Sequence, residues 1–148
     1  MSLMADHASQ SVTIAATPEQ CFAVASDFEH YPQWAHDVKE ATVLSRDPQG
    51  RATQVEFRTS ALGRSTHYTL SYDYSQAPQV MSWHMVSGDI MRAIDGSYTF
   101  APAAGGGTEA TYSLSIELIV PLPGFVKRRA EVRIVNSVKD LKARIEAA

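Results

Sequence analysis

A chain of 148 residues, 45% apolar and 20% charged with a net charge of −3, has the size and composition of one globular domain able to bury roughly 70% of its unfolded surface. No apolar run approaches the ~18 residues that a membrane-spanning helix needs, and the first residues lack the basic and apolar regions of an export signal. The charge is segregated, with 6 basic and 13 acidic side chains in residues 1–124 and 7 basic and 3 acidic ones in residues 125–148; a single basic helix before an acidic body is a poor electrostatic footprint for nucleic acid.

Met1-Ser2-Leu3 ahead of Met4 reads as a cloning remnant before the natural start. Val12 and Ile14 then alternate along a short strand, and Thr17-Pro18-Glu19-Gln20 supplies an N-cap, a proline at the first helical position and a capping-box glutamine. The helix that follows carries Cys21, Phe22, Val24, Ala25 and Phe28. Proline disfavours helical geometry in the residue before it, so Tyr31-Pro32 predicts an interruption and two short helices. Cys21 is the chain's single cysteine; with no disulfide partner it fits a reducing compartment, and a cytoplasmic location is expected.

From Val38 the apolar period becomes two. Turn signals at Asp47-Gly50, Leu62-Arg64, Gln76-Pro78, Ser87-Asp89 and Gly105-Gly107 divide this region into six strands, antiparallel because the connections are short. Alternation places Val55, Phe57, Tyr68, Leu70, Tyr72, Tyr74, Met81, Trp83, Met85, Tyr98, Phe100, Tyr112, Leu114 and Ile116 on a dry face. Glu56, Arg58, His67, Asp73, His84, Glu109 and Glu117 fall on the wet one. The tail from Phe125 to Ala148 has Val126, Ala130, Ile134, Val138, Leu141 and Ile145 at helical spacing with no internal glycine or proline, which predicts one long amphipathic helix. Its apolar stripe needs the dry face of the sheet as partner. The expected class is therefore α+β, a seven-stranded antiparallel curved sheet wrapped around a long C-terminal helix, with two short helices after strand 1, all in one domain, 1–148.

Twisted strands curl more than a single helix of ~10 Å diameter can fill, so a cavity is expected between sheet and helix. The predicted ligand-binding lining is Phe57, Tyr68, Leu70, Tyr72, Met81, Trp83, Met85, Tyr98, Phe100, Tyr112 and Leu114 from the sheet, with Ile134 and Val138 from the helix. Buried phenols need hydrogen-bond partners, and tyrosines around a pocket find them in a ligand or water. Counting hairpins puts Ala35-Asp37, Ala61-Arg64, Ser87-Met91 and Pro121-Phe125 at one end. Trp34, Leu62, Met91, Leu122 and Phe125 gather there and mark the expected cavity mouth. Lys127, Arg128 and Arg129 follow directly, a candidate contact with an anionic membrane surface.

The segments Asp27-Phe28-Glu29-His30-Tyr31-Pro32-Gln33-Trp34, Asp95-Gly96-Ser97-Tyr98, Gly107-Thr108-Glu109-Ala110-Thr111-Tyr112 and Pro121-Leu122-Pro123-Gly124 resemble the START-like, Bet v 1-like (SRPBCC) superfamily with its helix-grip fold. Within it the chain is most similar to the polyketide cyclase/dehydrase and coenzyme Q-binding branch, and there to small actinobacterial cyclase/dehydrase-like proteins. The resemblance implies a lipid, isoprenoid, quinone or polyketide-like ligand.

Catalytic machinery is not evident. The five histidines, His7, His30, His36, His67 and His84, show no metal-ligand spacing, and no nucleophile elbow, P-loop or dinucleotide fingerprint is present. No metal, cofactor or catalytic residue is expected; for an enzyme, Arg92, in phase with the strand face of Gly96, or Asp95 would have to stabilise an enolate. Three readings follow: a carrier or sensor of a hydrophobic or amphipathic small molecule, an aromatase/cyclase or dehydrase acting on a polyketide intermediate, and a protein-interaction module like the relatives that associate with ribosomes. A monomer or weak dimer is expected.

Overall fold

The computed structural model describes residues 7–61, 64–119 and 123–147. The segment Met1-Ser2-Leu3, the predicted mouth residues Leu62 and Leu122, and the side chains of Phe125 and Lys127 lie outside this described set. Strands β1 (His7–Ile14), β2 (Val38–Arg46), β3 (Ala52–Ala61), β4 (Arg64–Asp73), β5 (Val80–Gly88), β6 (Met91–Pro102) and β7 (Thr108–Leu118) form one antiparallel sheet in the order β1-β7-β6-β5-β4-β3-β2. Strands β2 to β7 are successive hairpins, as the short turns require. The first strand closes the far edge by pairing with β7, His7 opposite Ser115 through Ile14 opposite Thr108.

Between the two edge strands the chain crosses through α1 (Pro18–Ala25) and a 3-10 turn, Phe28–Gln33. The capping box forms as read: the Gln20 amide donates to Thr17 Oγ1 at 3.1 Å and the Thr17 amide to Gln20 Oε1 at 2.8 Å. The interruption falls earlier than Tyr31-Pro32. The Ser26 hydroxyl donates to the Phe22 carbonyl at 2.8 Å, a local bond that competes with helix propagation, and Pro32 is accommodated inside the 3-10 turn.

Register shifts occur in β2, in β4 between Thr69 and Leu70, and in β6 between Met91 and Ala93. Such bulges bend strands and steepen the twist. Along the concave face Val55, Phe57, Leu70, Met81, Trp83, Phe100, Leu114 and Ile116 are buried, and Glu56, His67, Asp73 and His84 on the other face are exposed.

The C-terminal helix differs from the continuous one expected. It is divided into α2 (Gly124–Val135) and α3 (Val138–Glu146). At the junction the Ser137 amide bonds to the Ile134 carbonyl and the Lys139 amide to the Asn136 carbonyl, at 3.0 and 2.9 Å. Tight 3-10-type bonds thus replace α-type ones where Asn136 and Ser137, two weak helix formers, follow each other. Val135, Val138 and Leu141 are fully buried around this point. The end of α3 is tied to the β1–α1 corner, where Glu146 accepts from the Ala15 amide at 2.9 Å and the Lys142 ammonium donates to the Thr13 carbonyl at 2.7 Å. Among the described residues, no helix is long and apolar enough to cross a membrane.

Candidate functional site

A cavity of about 310 Å³ lies between the concave face and the α2/α3 junction. Trp83 on β5 forms its floor. The strand neighbour of Trp83 is Gly96 on β6, and the indole lies flat on it: a Cβ added at Gly96 would stand 2.6 Å from the indole Nε1 and Cε2. The ring thereby reaches across β6 to Tyr112 of β7 at a centroid distance of 5.5 Å, with Tyr72 of β4 at 5.6 Å on its other side. Tyr98 packs 4.7 Å from Tyr112, Phe57 packs 5.7 Å from Tyr68, and Tyr31 and Trp34 of the 3-10 segment pack at 4.7 Å to form a side wall.

Of the residues expected to line the cavity, Phe57, Tyr68, Leu70, Tyr72, Trp83, Tyr98, Tyr112, Leu114 and Ile134 do so, together with Trp34 and Met91 from the expected mouth. Four others stand elsewhere. Met81, Phe100 and Val138 are sealed in the core at 0%, 1% and 0% exposure. Met85 turns its sulfur toward Gly88, 2.9 Å from where a Cβ would stand. Alternation assigns a face but no depth along the strand, so the sequence pattern alone groups these four with the lining.

Arg92 is exposed, because the shift between Met91 and Ala93 breaks its phase with Gly96; Met91 turns inward in its place, and Ile94, still in phase, lines the cavity beside it. Asp95 is exposed by simple alternation.

A polar rim is the part that sequence reasoning missed. Arg133 on α2 grips Asp37, at the start of β2, through two hydrogen bonds, Nη2 to Oδ1 at 2.8 Å and Nε to Oδ2 at 3.1 Å. Next to it, His36 Nδ1 stands 3.4 Å from Asp140 Oδ1 of α3. All four side chains line the cavity, and the two pairs join the β2 entrance to the helix across the junction. The Arg133 and His36 side chains are 72% and 84% exposed, so both pairs are screened by solvent and fasten the rim weakly. No motif marked these residues: Asp37 and Arg133 are 96 positions apart.

The six tyrosines divide by partner. The Tyr31 hydroxyl donates to the Ala25 carbonyl and that of Tyr74 to the Ala52 carbonyl. Thr59 stands beside the Tyr68 hydroxyl and Ser137 beside that of Tyr98, each opposing the upward push of burial. Tyr72 and Tyr112 have no hydrogen-bond partner among the described residues. Burial is the main cause pushing every phenol up, to about 12 for Tyr68 and Tyr74 and well above the ordinary value of 10 for Tyr31, Tyr72, Tyr98 and Tyr112, where neighbouring groups, chiefly other phenols, add to it. These are neutral hydroxyls suited to orienting a ligand, not to removing a proton. Among the described residues, no group of three or more His, Cys, Asp or Glu side chains converges as a metal-ligand set would.

A curved seven-stranded antiparallel sheet gripping a C-terminal helix over such a cavity defines a START-like domain of the helix-grip class. Residues 5–146 match the family described as polyketide cyclase / dehydrase and lipid transport, and the chain belongs to that family. Its fold is similar to that of a START superfamily protein from Mycobacterium smegmatis, with 25% identity, 95% of this chain and 97% of the other covered, and a TM-score of 0.88. A protein from Thermus thermophilus shares it at 21% identity, 96% and 98% coverage and a TM-score of 0.82. So does the Zhui aromatase/cyclase from Streptomyces sp. R1128, at 14% identity, 96% and 87% coverage and a TM-score of 0.67. No curated protein matches the chain.

Gly96→Ala is expected to push the indole off β6, lowering stability by about 1–3 kcal/mol in urea unfolding and changing the near-ultraviolet circular dichroism of the tryptophans. Unchanged values in both would show that the indole does not lie on Gly96. The phenols give a second expectation. A folded-state pKa raised above the unfolded value of 10 contributes stability that is complete below pH 10 and is lost as pH rises toward the folded values, about 12 for Tyr68 and Tyr74 and higher for the other four. Phenolate absorbance should therefore appear together with unfolding above pH 10; ionisation of most tyrosines in the folded protein near pH 10 would contradict this.

Proposed function

We propose that this chain carries or senses a hydrophobic or amphipathic small molecule in the cavity beneath the α2/α3 junction, without transforming it. The observation that carries the reading is the aromatic-walled space of about 310 Å³, at the small end of the ~300–1,000 Å³ typical of ligand pockets. That size suits a compact ring system or short chain. Phenols held neutral in its wall position a ligand without activating it. The ionisable groups that line it, His36, Asp37, Arg133 and Asp140, stand at the rim and are paired with one another. The family's description, which includes lipid transport, supports the same reading.

A second reading, an aromatase/cyclase or dehydrase acting on a polyketide intermediate, is favoured by one observation. The His36–Asp140 pair lines the cavity, and an imidazole beside a carboxylate is the usual equipment of acid–base chemistry. The carrier reading is preferred because the His36 side chain is 84% exposed, and a solvated imidazole offers little control over a reaction that must exclude water. Contact with an anionic membrane surface through Lys127, Arg128 and Arg129 would serve a carrier; the side chains of Arg128 and Arg129 are exposed on α2.

Native mass spectrometry of the protein purified gently from its own source tests the proposal. A reproducible apolar adduct, released on denaturation and recovered unchanged after incubation with the protein, is the expected result. A bare protein mass in every mild preparation would count against a carrier, and recovery of a converted product would establish the enzymatic reading instead.

A further inference from the structure

The proposed binding function leaves open how a molecule reaches a cavity whose walls are mostly core, and exposure along those walls locates the way in. Trp34 and Met91, from the expected mouth at the loop end, line the cavity but are buried. Among the described residues that line it, His36, Ser60 and Arg133 are the exposed ones. All three stand on one seam, where the start of β2 and the end of β3 face the α2/α3 junction. The Ser60 amide donates to the Asp37 carbonyl at 2.9 Å, which joins the two strands on their side of the seam.

The helices are held unequally on their two sides. Both α2 and α3 pack against β1 and β7, and α3 also packs against α1. On that side α3 is tied to backbone as well, through Lys142 to the Thr13 carbonyl and Glu146 to the Ala15 amide. Val138 and Leu141 are sealed in the core beneath it. Across the seam the described fastening consists of side chains at the surface: Arg133 to Asp37, Asp140 to His36 and, farther along α3, Arg144 to Gln33 at 2.9 Å. Exposed pairs of this kind are screened and weak, whereas withdrawing buried apolar side chains costs far more. A passage from solvent to the cavity therefore meets least resistance at the seam.

We infer that this seam is the portal of the cavity and that the Arg133–Asp37 and His36–Asp140 pairs are its latch, parting to admit or release a molecule and re-forming behind it. This rests on the binding function proposed above. A latch sets rates and not affinity. It is closed in the empty and in the occupied protein alike, so weakening it favours opening equally in both and speeds entry and exit by one factor. A residue that holds the ligand acts chiefly on exit.

Stopped-flow quenching of tryptophan fluorescence by 1-tetralone, a compact uncharged bicyclic probe, tests the inference on the intact protein. Asp37→Asn keeps the shape of the side chain and removes its charge. It should raise the association and dissociation rates together, each about threefold, and adding Asp140→Asn should bring both to about tenfold. Urea unfolding of the same samples checks that the variants are folded. Unchanged rates in the folded double variant would overturn the inference, put the entrance elsewhere and leave the binding function standing. Faster dissociation at an unchanged association rate would also overturn it, by making the pairs ligand contacts and not a latch. Failure of 1-tetralone to bind the wild-type protein would overturn the binding function itself, and this inference with it.

Discussion

The indole of Trp83 resting on the bare backbone of Gly96 sets the shape of everything above it. With any side chain at Gly96 the ring would have to rise from β6 into the space now open beneath the helix. Because it lies flat, Trp83 spans from β4 to β7 and brings Tyr72 and Tyr112 to its two sides. One missing Cβ thus creates both the floor and part of the volume of the cavity. The indole in turn covers backbone that a bare glycine would leave unpacked.

The wall built on this floor is rigid where it meets the core and weakly fastened where it meets solvent. Phe28 contacts Tyr72 at 4.5 Å and Phe57 at 6.1 Å, and close-packed rings of this kind leave little room for motion. At the opposite side the helix is interrupted at Asn136-Ser137, and its hold on the β2 entrance passes through Arg133 with Asp37 and His36 with Asp140. Ion pairs this exposed are screened and individually weak. The weak fastening lies at the rim and the tight packing in the core, the arrangement that the proposed reversible binding requires.

Much of this was written locally in the chain. The period-two stretches from Val38 to Leu118 yielded the strands and their dry face, the Thr17–Gln20 capping box placed α1, and short turns fixed the hairpin order. What escaped was what depends on irregularity or on distance. The bulge at Met91–Ala93 turned Arg92 outward and Met91 inward, and a pattern of strict alternation contains no such step. The interruption at Asn136-Ser137 was masked by an apolar stripe that continues through it from Ile134 to Val138 and Leu141. Met81 and Phe100 share the dry face with Trp83 and Tyr98 but lie deeper in the core, a coordinate along the strand that alternation does not carry. The Asp37–Arg133 rim needed the fold itself to bring a loop and a helix together.

The central claim is that the space over Trp83 holds a small molecule. A crystal structure of the protein grown with 1-tetralone tests it most directly. The account predicts the bicyclic probe inside the cavity, with its ring system over the Trp83 indole. A cavity filled by inward-moved side chains, or a probe bound only on the outer face of the sheet, would contradict it.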